Sequence, residues 1–145
     1  MYNLHDTDFY SWTQQQVELL KAGNLAALDI TNLIDEIEDM GRSEKRELKN
    51  RLKILLIHLL KWQYQPELRG TSWWATIKEQ REEITQCLGE NPGLKPIIDD
   101  TLKAAYKIGT FAALKETGLK PDTFPNTCPW TFDQIMDPEF WPDAA

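Results

Sequence analysis

His58 is one of only two histidines in the chain, and it interrupts an apolar run from Ile54 to Leu60. On a helix its neighbours one turn away are Ile54, Leu55, Lys61 and Trp62, so the imidazole faces the core or a cavity within it. Desolvation there lowers the pKa unless a carboxylate pairs with the ring. A neutral imidazole can ligate a metal or accept a proton. Carboxylates stand at helical spacing in two other places. Asp35 with Glu38, and Glu36 with Asp39, lie one turn apart, and Glu79, Glu82 and Glu83 repeat the spacing further on. Carboxylate pairs on facing helices can hold Mg²⁺ or Mn²⁺. Glu36, Glu38 and His58 are therefore the candidate metal ligands, and His58, Glu38 and Glu79 the candidate catalytic groups. The chemistry would be metal-dependent hydrolysis of a nucleotide or nucleic acid, with Arg81 or Lys78 facing the anion. A divalent metal is implied by this reading alone. The order of the acidic pairs departs from the ExxE and ExxD pattern of all-α nucleotide pyrophosphatases. A di-iron bundle needs Glu-x-x-His pairs, and Leu55 stands where the glutamate belongs.

A second set of residues is suited to binding. Arg42, Trp62, Trp73 and Arg81 are the candidates, with Arg51, Arg69, Trp12 and Trp74 nearby in type and spacing. Arg81 falls on the apolar stripe of its helix, so its guanidinium needs a carboxylate or carbonyls. Glu36 or Glu38 is the expected partner. Plainer readings compete with each candidate and are favoured: a core histidine hydrogen-bonded to a neighbour helix, solvated acidic helix faces, an interhelical ion pair, and tryptophans packed as core. His5 lies near the start of the chain and contributes little to any site. No glycine-rich phosphate loop, HExxH, nucleophile elbow or zinc spacing is present.

Turn signals and periodicity divide the chain into helices. Phe9, Trp12, Thr13, Val17 and Leu20 share one face, and Gly23 ends that helix. Asp29 caps a second, with Ile30, Leu33, Ile34 and Ile37 predicted to point inward and Gly41 to stop it. Ser43 is predicted to cap the longest helix, which runs about 30 Å to Tyr64. Its seam is Leu48, Leu52, Leu55, Leu59 and Trp62. Pro66 and Gly70 turn the chain into a helix starting at Thr71 or Ser72, with Trp73, Ile77, Arg81, Ile84 and Leu88 inside. After a loop from Gly89 to Pro96, the last long helix carries Ile98, Leu102, Ala105, Ile108 and Ala112 on one face and closes at Gly118. Its small residues would allow a close helix contact or self-association. From Lys120 on, prolines and aromatics concentrate. That composition predicts an extended strap packed on the bundle, with one capped helical turn at Thr131 and Gln134. The expected fold is all-α: a compact bundle of about five helices in a single domain over 1–145, with residues 120–145 as the strap.

The totals exclude several classes. The longest unbroken apolar run is far too short to cross a bilayer, and MYNLHDTDFY lacks the basic and apolar parts of a signal peptide. Cys87 and Cys128 are far apart, with no CxxC, and are expected as reduced thiols in a cytoplasmic protein. The net charge of −7 disfavours general nucleic-acid binding. Charge is also segregated, with net values of −7 for residues 1–41, +6 for 42–81 and −6 for 82–145.

Four segments in order, EIEDMGRSEKRELKNRL, HLLKWQYQPE, SWWATIKEQREEI and CPWTFDQIMDPEFWP, resemble the bacterial proteins grouped as domain of unknown function 29, as does the opening DTDFYSWTQQQVELL. The group is abundant in cyanobacteria and occurs in proteobacteria. The resemblance spans nearly the whole chain and implies an all-α fold. It implies no activity, because the family carries no established biochemistry. Trp74 stands where a basic residue is expected after Ser72 and Trp73, which weakens an anion-binding role for that turn. The favoured function is a protein-interaction or adaptor protein that binds another protein or itself. The alternatives are the metal-dependent hydrolase above and a toxin–antitoxin component.

Overall fold

A computed structural model describes residues 3–144, and every regular element among them is helical. The elements are α1 (Leu4–Thr7), α2 (Phe9–Lys21), α3 (Ile30–Tyr64), α4 (Thr71–Glu90), α5 (Ile98–Thr117) and α6 (Phe132–Met136), with 3₁₀ turns at Leu25–Ala27, Pro66–Leu68 and Pro92–Ile97. The chain groups into two units that divide between Arg42 and Ser43, and α3 runs through the division.

In the N-terminal unit, Asp8 caps α2 by accepting from the Ser11 amide at 3.1 Å and its hydroxyl at 2.6 Å. The helix ends where Gly23 takes a left-handed φ of 69°. The Asn24 amide then reaches the Leu19 carbonyl and the Gly23 amide the Leu20 carbonyl, which satisfies the last turn. Gly41 does not stop the next helix, contrary to expectation. It keeps a helical backbone, and Ser43 lies inside α3 rather than capping it. A glycine in a helix interior costs only about 1 kcal/mol relative to alanine. Here strong helix formers flank it, and Arg42 pairs with Asp39 and, at 3.6 Å, with Glu38.

In the second unit, α3 becomes apolar nearly all round. Leu48, Leu52, Leu55, Leu56, Leu59 and Leu60 have no solvent exposure. Ile77 and Ile84 of α4, Leu102, Ala105 and Tyr106 of α5, and Phe124, Trp130 and Ile135 of the C-terminal segment complete this core. The small-residue face of α5 is spent inside the unit. A Cβ on Gly109 would lie 3.7 Å from Ile57 and Lys53 of α3, and Ala105 and Ala113 are fully buried. That face is thus unavailable for self-association. α5 ends at Gly118, in the left-handed region at φ 70°. The turn at α6 is fixed by a capping box: the Gln134 amide donates to Thr131 Oγ1 at 3.2 Å, and the Thr131 amide donates to Gln134 Oε1 at 2.9 Å.

Candidate functional site

The N-terminal unit is held together mainly by polar ties. Its buried residues are Trp12 and Gln16. The Trp12 indole donates to Asp29 Oδ2 at 3.0 Å, the Asn32 side-chain amide donates to the same oxygen at 2.7 Å, and Gln16 Oε1 accepts from the Asp29 amide at 2.9 Å. Asp29 thus caps α3 and also anchors α2 to it. The Asn32 hydrogen bond, with a further contribution from Trp12, holds the Asp29 carboxyl below its ordinary pKa against the opposing effect of burial. His5 lies between Glu36 at 2.8 Å and Asp6 at 2.9 Å, edge-on to Trp12 with ring centroids 4.7 Å apart. Hydrogen bonds to Glu36, first, and Asp6 raise its pKa. Trp12, Gln16, Asp29 and Asn32, with Gln15 and Leu4, line a cleft of about 610 Å³.

With so small an interior, several large apolar residues of this unit lie outside, while Leu33 is half-buried. Ile30, Ile34 and Ile37, expected in the core, are 53%, 50% and 64% exposed, and Met40 is 67% exposed. Val17 and Leu20 of α2, predicted to share the inward face with Trp12, are exposed too. The reason is geometric. α1 and α2 meet α3 through Asp29, Asn32 and Glu36, and on a helix those positions lie away from the arc of Ile30, Ile34 and Ile37. The result is a continuous apolar stripe on α3, edged by Glu38 one turn beyond Ile34 and by Asp35.

The sequence-predicted site residues each have partners within their own unit. Glu36 is engaged by His5, and Glu38 by Arg42. His58 is half-buried and donates from Nδ1 to the Ile54 carbonyl at 2.8 Å, one turn back on its own helix rather than on a neighbouring one. Burial, chiefly, pushes its pKa down, so the ring is neutral with its Nε2 lone pair free of a proton. Glu79 is exposed and lies in the field of Arg51. Among the described residues, no group of three or more His, Cys, Asp or Glu side chains is placed to hold a metal ion.

The binding candidates have structural work of their own. Arg81 does not end on a carboxylate: its Nε donates to the Ile135 carbonyl and its Nη2 to the Phe140 carbonyl, each at 2.7 Å, and its guanidinium lies over Trp141. Its third nitrogen, Nη1, is buried without a partner, and burial lowers the guanidinium pKa. Trp62 packs on Trp141 at 4.8 Å, and Arg69 lies over the Trp62 ring while donating to the Trp62 and Pro142 carbonyls. Trp73 carries Lys61 over its ring. Arginines and tryptophans thus fasten the C-terminal segment to α3 and α4. Beside α5 lies a second cleft of about 640 Å³, walled by Leu102, Tyr106, Cys128, Trp130 and Phe132. Its thiol is free, and burial raises the thiol pKa, which keeps it protonated and a poor nucleophile.

Sequence reasoning missed His5, Gln16 and the bridging role of Asp29. The available signal was the density of polar and aromatic residues in the opening NLHDTDFYSW, which exceeds what a frayed terminus needs.

The molecule is an all-α protein whose N-terminal unit shows an apolar helix stripe edged by acids. The family model described as Domain of unknown function DUF29 matches residues 4–141, and the chain belongs to that family. That description assigns no activity. No curated protein and no solved structure matches the chain.

Proposed function

We propose that this protein acts by binding another protein through the N-terminal unit, as a cytoplasmic interaction or adaptor protein. One observation carries the reading: Ile30, Ile34 and Ile37, at core-like spacing, are left half to two-thirds exposed on one face of α3. Monomeric proteins seldom leave such a stripe in water without a use for it. Anchors at i, i+4 and i+7 also match the way helices enter partner grooves. No helix among the described residues is long and apolar enough to cross a membrane, so the stripe does not belong to a spanning helix. The free thiols Cys87 and Cys128 fit a reducing compartment.

The test is site-specific photocrosslinking in the host. A crosslinking residue at position 34 should trap one discrete protein, and the same residue at exposed position 50 should not. Equal, diffuse crosslinking from both positions overturns the reading.

A further inference from the structure

We infer that the occupant of the α3 stripe is a cationic amphipathic helix of a partner protein. This rests on the interaction reading above and adds the chemistry of the partner. Residues 1–42 carry eight carboxylates against Lys21 and Arg42. Two of the carboxylates, Asp35 and Glu38, are exposed beside the stripe formed by Ile30, Ile34 and Ile37. Arg42 pairs with Glu38 and Asp39. An incoming helix therefore meets apolar anchors bordered along one edge by negative charge. The complementary surface is an apolar face with Lys or Arg along the edge that meets Asp35 and Glu38.

Charge also decides against the other occupants. A two-fold pairing of two copies through this face would bring two acidic units together, because such an interface sets the same patch against itself. An anionic lipid surface is repelled by the same carboxylates. A neutral apolar helix would gain from the isoleucines alone and forgo the acidic edge.

The experiment uses the full chain and three 18-residue helical peptides that share one leucine face and differ in the polar face: lysine, glutamine or glutamate. Binding is read by fluorescence anisotropy at low and high salt, alongside anionic phosphatidylglycerol vesicles and sedimentation velocity of the protein alone. The lysine peptide should bind about tenfold more tightly than the glutamine peptide, with the advantage shrinking in salt. The glutamate peptide and the vesicles should not bind. The double variant Ile34→Asp, Ile37→Asp separates a specific site from general attraction to an acidic protein. It adds two negative charges, so non-specific binding of the lysine peptide would strengthen, and binding at the stripe should instead fall at least tenfold. If glutamine and lysine peptides bind equally, the cationic partner class is overturned and the interaction reading stands. Vesicle binding, or self-association that the double variant abolishes, likewise overturns the partner class. If no peptide binds and position 34 also traps no protein in the host, both readings fall.

Discussion

Replacing Arg81 with methionine tests whether a single buried guanidinium fastens the C-terminal segment. Methionine keeps the apolar stem and removes every donor. The Ile135 and Phe140 carbonyls, each now bonded at 2.7 Å, lose their partners. Stranding a buried acceptor costs about 1–3 kcal/mol, and the half-buried Phe140 carbonyl should sit at the low end. Loss of the cation over Trp141 adds about 0.5–1 kcal/mol. One term opposes these: the guanidinium is desolvated with Nη1 unpaired, and removing it relieves that penalty. The balance is a loss of about 2–3 kcal/mol, which lowers a urea midpoint by roughly 1–1.5 M at a slope of about 2 kcal/mol per M. Hydrogen exchange should quicken first in residues 135–141. Arg81→Lys should recover less than half of the loss, because one ammonium cannot span two carbonyls served by Nε and Nη2. A methionine variant within 0.5 kcal/mol of the parent, with unchanged exchange in this segment, would refute the argument.

Three further outcomes follow. The histidines should give opposite pH slopes. The His5 pKa is raised above 6.5 on folding by Glu36 and Asp6, so its contribution is full below pH 6.5 and lost as pH rises through the folded value; that of His58 is lowered by burial, so its contribution is full above pH 6.5 and lost as pH falls. Urea titrations from pH 5 to 9 on His5→Gln and His58→Gln should each flatten the matching limb. Trp12→Phe keeps most of the buried ring and removes the bond to Asp29, so denaturation should show about 1–2 kcal/mol lost and an NMR titration should show the Asp29 pKa moving up. Mg²⁺, Mn²⁺ and Zn²⁺ should leave the melting temperature unchanged; a clear rise that disappears in His58→Ala would favour the metal-dependent hydrolase instead.

Much of the second unit was legible in the sequence. The all-apolar half of α3, the stripe of α4, the stop at Gly118 and the capping box at Thr131 each follow from patterns within a few turns of chain, whereas the buried face of α5 runs through Leu102, Ala105, Tyr106, Gly109 and Ala113 and leaves Ile108, expected inside, exposed. Gly41 misled because a glycine marks a helix end only when the next turn cannot continue, and the ion pairs of Arg42 carry the helix onward. The partners of Arg81 were hidden because they lie 54 and 59 residues away in sequence, in carbonyls that every residue possesses. Burial of Ile30, Ile34 and Ile37 was inferred from spacing, yet spacing shows only that residues share a face. What covers that face depends on where α1 and α2 attach, and the attachment is made by His5, Trp12 and Gln16 through polar contacts that periodicity does not reveal.

If the α3 stripe lies outside the fold and is kept for a partner, it can be changed without cost to the fold. The direct measurement is a melt of the Ile34→Asp, Ile37→Asp protein paired with lysine-peptide binding on the same sample. Stability should stay within about 0.5 kcal/mol of the parent, as for surface positions, and binding should be lost. A protein that unfolds, as a Leu55→Asp protein should, would show that the stripe is core; a stable protein that still binds the peptide as well as the parent would show that the stripe is not the site.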